Sequence, residues 1–110
     1  MTKPVVVLSF PCAHCSAFVD QFQEWLNGEA EAIVVHDLCD RVVRELLSVI
    51  GITELPAVVH GGVVDTGSDA FAKVRGITGA QGGESGGTSI NTLYSQQSRA
   101  GALEAFARRS

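Results

Sequence analysis

The apolar residues of this chain fall into short runs and stripes whose period changes along its length. Val5-Val6-Val7-Leu8-Ser9 is a mostly β-branched run without polar alternation, which predicts a strand covered on both faces. Phe10-Pro11 interrupts it. Cys15, Phe18, Val19, Phe22, Trp25 and Leu26 then recur at three- and four-residue spacing, with Asp20, Gln21, Gln23 and Glu24 opposite. That period predicts one amphipathic helix, ended by Asn27-Gly28, where a residue is free to take positive φ. Ala32-Ile33-Val34-Val35 predicts a second fully apolar strand, closing at His36-Asp37. Asp40 is placed to cap a second helix with the face Val42, Val43, Leu46, Leu47 and Ile50, stopped by Gly51. Strand, helix, strand, helix in this order predicts parallel strands joined by a right-handed crossover.

The second half changes character. Leu55-Pro56-Ala57-Val58-Val59-His60, then Gly61-Gly62, then Val63-Val64 predicts a hairpin with a two-residue turn. Ser68 or Asp69 is placed to cap a short helix through Ala70, Phe71 and Val74, stopped by Gly76. Alternation from Ala70 to Arg75 would also suit a strand, but cap and stop together favour the helix. From Gly79 to Ser89 the chain reads GAQGGESGGTS, five glycines and no large apolar residue, the composition of a mobile loop or linker. Leu103, Phe106 and Ala107 stripe a last helix, from about Ser98 to Arg108. The expected organisation is a core over residues 1–78, a Gly-rich loop or linker over 79–97, and a C-terminal helix over 98–110 belonging to the same domain. The class is α/β: a βαβ unit, a ββ hairpin and a helix, giving a mixed central sheet flanked by helices.

Composition narrows the function classes. The chain has 110 residues, 45% of them hydrophobic, enough for one domain with its own core. Its net charge of −4 is spread without a basic block, so nucleic-acid binding has little to run on. No apolar run approaches the roughly 20 residues of a membrane span. The Val5–Leu8 run is too short for a signal peptide's apolar region, so a cytoplasmic, monomeric protein is expected. Three cysteines do not make a disulfide framework, and a C-x-x-C pair in such a chain points to redox chemistry or to metal.

Cys12-Ala13-His14-Cys15 lies between the first strand and the first turn of the amphipathic helix. Unpaired N–H groups at a helix N-terminus stabilise an anion, so Cys12 is expected to be an exposed thiolate of lowered pKa. Cys15, one turn further on the apolar face, is expected to stay protonated and sheltered as the resolving thiol. His14 either stabilises the Cys12 thiolate, making the disulfide a better oxidant, or stands in solvent without effect. Pro56 either forms a cis bond turning the chain into the hairpin or begins an edge strand in the trans form. If Pro56 begins the third strand, the backbone of Leu55 is left free beside the cysteines, where it could pair with an extended substrate.

A buried strand, C-x-x-C opening a helix, a βα unit, and then Gly51-Ile52-Thr53-Glu54-Leu55-Pro56-Ala57-Val58-Val59 with its Gly-Gly hairpin resemble the thioredoxin superfamily over residues 4 to about 76. The G-I-x-x-x-P stretch resembles thioredoxin, whose equivalent proline is cis and faces the active site. The single strand before the motif is more like glutaredoxin. Thr66-Gly67-Ser68-Asp69 is similar to the segment with which glutaredoxins hold the γ-glutamyl end of glutathione. The Ala13-His14 pair is closest to protein disulfide isomerase and the periplasmic disulfide oxidases. The chain departs from thioredoxin in lacking an acid on the first strand and a Trp before the motif, and from glutaredoxin in lacking a Lys there.

The resemblance implies a thioredoxin-like fold and a thiol–disulfide oxidoreductase with Cys12 and Cys15 catalytic, His14 modulating, and Leu55, Pro56, Ser68 and Asp69 binding substrate. It implies protein disulfides as substrates, a recycling reductant or oxidant as partner, glutathione as a candidate co-substrate, and no resident cofactor or metal. Two other readings stand beside it. Cys12, Cys15, His36 and Cys39 have the spacing of a C2HC zinc module, and a thioredoxin-like adaptor without catalysis would present Leu55 and the Gly-rich loop to a partner. Cys39 is otherwise a third redox cysteine or a spectator thiol.

Overall fold

A computed structural model describes residues 3–10, 12–36, 38, 40–81 and 83–96. Strand β1 (Val5–Ser9) is followed by helices α1 (Ala13–Gln21) and α2 (Gln23–Gly28), strand β2 (Glu31–Val35), helix α3 (Arg41–Ile50), strands β3 (Glu54–Leu55), β4 (Ala57–His60) and β5 (Val63–Thr66), helix α4 (Ser68–Thr78) and strand β6 (Thr88–Ser89). Residues 90–96 are helical. The main sheet has the order β2-β1-β4-β5, with β1 parallel to β2 and antiparallel to β4, and β4 antiparallel to β5. It is a mixed four-stranded sheet flanked by helices, as the α/β pattern predicts.

β1 lies inside the sheet, which is why its run lacks polar alternation: Val6, Val7, Leu8 and Ser9 are all buried. Ser9, the one polar residue among them, donates from Oγ to the carbonyl of Val35 at 2.9 Å. Phe18, Phe22 and Phe71 bind α1 to α4. The Phe18 ring stands edge-on to both others, with centroids 4.9 Å from Phe22 and 5.2 Å from Phe71. Gly61-Gly62, both at positive φ, make the predicted two-residue turn between His60 and Val63.

Four expectations need correcting. The single helix from the cysteines to Gly28 is interrupted at Phe22, which leaves the helical region with φ −120° and ψ 28°. The Phe22 N–H still bonds to Phe18 and its carbonyl still accepts from Leu26, so the apolar stripe survives the break. β2 is an edge strand among the described residues, and its Ala32 and Ile33 are exposed. On α3, capped by Asp40 as expected, only Leu47 of the apolar face is buried, and Val42, Leu46 and Ile50 are exposed. Helix α4 takes Gly67 as its N-cap, not Ser68 or Asp69, and runs past Gly76 to Gly79, whose φ of 75° ends it. The strand alternative for Ala70–Arg75 is thereby excluded.

The stretch expected as a loop or linker is partly regular. β6 pairs antiparallel with β3, Leu55 opposite Thr88 and Glu54 opposite Ser89. Ser89 then caps the last helical segment, its Oγ accepting from Thr92 N–H at 3.1 Å, and Ile90 and Leu93 enter the core. Tyr94 lies under the Arg44 guanidinium, 3.9 Å from its ring centre. The proposed helix over 98–110 lies outside the described residues, as does Cys39.

Candidate active site

The chain leaves β1 at Ser9 and reaches Cys12, whose extended backbone (φ −155°, ψ 116°) makes it the N-cap of α1. A cysteine here plays the part usually taken by Ser or Asp. Its Sγ accepts a hydrogen bond from the Cys15 N–H at 3.3 Å. No acidic residue stands in the first turn of α1 to oppose the positive end of the helix. Both cysteines are free thiols, and Cys15 is fully buried.

The two sulfurs are electrostatically unequal. Hydrogen bonding from the Cys15 thiol is the largest influence on Cys12 and holds its pKa down to about 6. The Cys15 N–H, the Thr88 hydroxyl and the His14 N–H act in the same direction, and burial acts against them. The Cys15 thiol is pushed strongly up, first because it donates to Cys12 and second because it is desolvated. With a value of about 6, Cys12 carries on the order of ten thiolates per thiol at pH 7.

One expectation about Cys12 fails: the sulfur is not exposed. Its residue is 5% accessible, and β6 contributes one of its neighbours. Thr88 Oγ1 stands 3.9 Å from Cys12 Sγ and 2.9 Å from His14 Nδ1. His14 is half-buried, and a Cβ on Gly86 would fall 2.9 Å from its Nε2. The His14 imidazole therefore stands neither free in solvent nor in hydrogen bond with the sulfur; the ring reaches Cys12 through Thr88.

The Leu55–Pro56 peptide is cis, and both residues are buried. The outer edge of Leu55, expected to be free, is taken by Thr88. Ser68 and Asp69 are exposed on the first turn of α4 and are not hydrogen-bonded to the dithiol. Beside them Gly67 packs against Gly87, so closely that a Cβ on Gly87 would lie 2.5 Å from the Gly67 Cα. His36 is exposed at the end of β2. Among the described residues no three His, Cys, Asp or Glu side chains converge as metal ligands would.

Thr88 is the residue that sequence reasoning missed. The available signal was Ser89 as a helix cap with Ile90 and Leu93 on one face after it, which would have placed a structured entry at Thr88. The sequence matches no family model, and neither a curated protein nor a solved structure matches it. No helix among the described residues is long and apolar enough to cross a membrane.

Proposed function

We propose that this chain is a thiol–disulfide oxidoreductase of thioredoxin-like fold working through Cys12 and Cys15. The observation that carries the reading is the placement of the pair at the start of α1: Cys12 Sγ caps the helix and accepts from the Cys15 N–H, while Cys15 is fully buried one turn on. Disulfide exchange needs this division between attacker and resolver.

In the reducing direction Cys12 Sγ attacks one sulfur of a substrate disulfide. The Cys12–substrate S–S bond forms as the substrate bond breaks, and the released sulfur departs as a thiolate. Cys15 then gives up its proton and attacks Cys12 Sγ, closing the Cys12–Cys15 bond and releasing the second substrate sulfur. Two electrons pass to the substrate, Cys15 supplies one proton and solvent the other. A second pair of thiols, on a small thiol or a dithiol protein, reverses the exchange and resets the site.

A stabilised Cys12 thiolate favours the reduced form and so raises the potential above that of an unperturbed dithiol. Equilibration of the pair with glutathione buffers measures that potential. A midpoint near about −120 mV places the protein with strong oxidants, and one near about −270 mV with thioredoxin-type reductants. Turnover of a protein disulfide that survives in both Cys12→Ser and Cys15→Ser would remove the proposal.

A further inference from the structure

The segment from Gly83 to Ile90 is fastened beside Cys12 and His14 at successive points. The Arg75 guanidinium holds the carbonyls of Gly83 and Glu84 at 3.3 and 2.5 Å. Gly86 lies on His14, and Gly87 lies on Gly67 and the Glu54 side chain. Thr88 faces Leu55, and the Ile90 N–H bonds to the carbonyl of Thr53 at 3.0 Å. In this antiparallel ladder that bond makes Leu55–Thr88 the next hydrogen-bonding pair. An open cleft of about 370 Å³ lies between the start of the segment and α1, lined by Ala17, Asp20, Gln21, Gly83 and Glu84. The segment is held by side-chain bonds at its start and by main-chain pairing at its end.

We propose that residues 83–89 form a built-in strap that holds Cys12 closed, and that an extended polypeptide carrying the substrate disulfide gains the sulfur by replacing β6 on the edge of Leu55. The proposal rests on the redox reading for the nature of its substrate. Three features of the strap support it. β6 uses main-chain pairing, which any extended polypeptide can reproduce without a matching sequence. It is only two residues long, so little is lost when it leaves. Its close approaches are made by glycines: a methyl group at Gly87 would meet Gly67 Cα at 2.5 Å and Glu54 Oε2 at 2.7 Å. Thr88 belongs to the closed state alone. Its hydroxyl can accept from His14 Nδ1–H while donating to the Cys12 sulfur, and substrate entry removes both contacts.

The test reads accessibility, not turnover. Loss of the unmodified Cys12 peptide is followed by mass spectrometry after treatment with iodoacetamide or with a polyethylene-glycol maleimide, in the native chain and in Gly87→Ala. The added methyl forces the strap off, so the bulky reagent is expected to gain by roughly tenfold relative to the small one. Arg75→Gln, which loosens the strap without crowding it, is expected to move the ratio the same way by roughly threefold and serves if Gly87→Ala does not fold. A bulky-to-small ratio unchanged in the folded variants overturns the strap. If the ratio shifts but protein-disulfide turnover ignores Cys12→Ser, the strap stands and the redox reading falls. If turnover needs both cysteines while the ratio stays fixed, the reverse holds.

Discussion

Replacing Cys15 by Ala should separate the two contributions that hold the Cys12 thiolate. The Cys15 thiol is the largest influence on Cys12, whereas the Cys15 N–H, donating to Cys12 Sγ at 3.3 Å, belongs to the backbone and survives the substitution. A hydrogen bond to a charged acceptor contributes about 1.5–3 kcal/mol, and one pKa unit corresponds to about 1.36 kcal/mol. Loss of the thiol donor therefore raises Cys12 by about one to two units, from about 6 to between about 7 and about 8. The assay is the pseudo-first-order rate of iodoacetamide alkylation at Cys12 against pH, from about 5 to about 9.5. The rate follows the thiolate fraction, so each curve climbs with pH and levels off above its midpoint. Closure by β6 lowers the plateau, and because the Thr88 hydroxyl is present in both proteins the difference between their midpoints reports the Cys15 thiol. A midpoint that stays at about 6 in Cys15→Ala refutes the reasoning, because the helix N-terminus and its N–H groups would then suffice alone.

The Cys12 value, lowered from 9.0 to about 6, also links folding to pH. A depressed acid stabilises the fold fully above its unfolded value and loses that contribution as pH falls through its folded value. The denaturation midpoint of the reduced protein should therefore decline between pH 9 and 6 more steeply than that of Cys12→Ser. Phe18→Ala, emptying the ring that meets both Phe22 and Phe71, should cost about 3–5 kcal/mol in urea denaturation. Asp40→Ala removes the side chain that accepts from Val42 N–H at 2.9 Å and should cost about 0.5–2 kcal/mol in the same assay. By contrast, Glu45→Ala breaks only the exposed pair with Arg41 and should change stability by less than about 1 kcal/mol.

What was legible in the sequence was local. The unbroken run Val5–Ser9, the three-and-four spacing after Cys15, and Asp40 and Gly51 at the ends of α3 each act within a few residues, and the structure follows them. The inequality of Cys12 and Cys15 was legible for the same reason, since both sit in one helical turn. The covering of Cys12 was not. Thr88 is 76 residues from Cys12 and 74 from His14, and a two-residue ladder leaves no periodic trace. Glycine also has two meanings. The composition around Gly86 and Gly87 predicts a mobile loop, whereas in the structure they allow backbone to lie against His14 and Gly67. The helical period of Val42, Leu46 and Ile50 states that a face is apolar, and it does not state that anything covers it.

The pairing of Thr88 with Leu55 has a further consequence, because both strands belong to one chain. A strand arriving from outside competes with a unimolecular occupant, whose effective concentration lies in the millimolar range for a short flexible connection. Diluting the protein does not empty the position, and concentrating the protein does not fill it further. A polypeptide that offers Leu55 only the same backbone contacts is excluded at ordinary cellular concentrations. One that also places a sulfur on Cys12 adds a covalent term that β6, with a threonine there, lacks. On the proposed redox reading, the edge of Leu55 would sort visitors by whether they bring a disulfide.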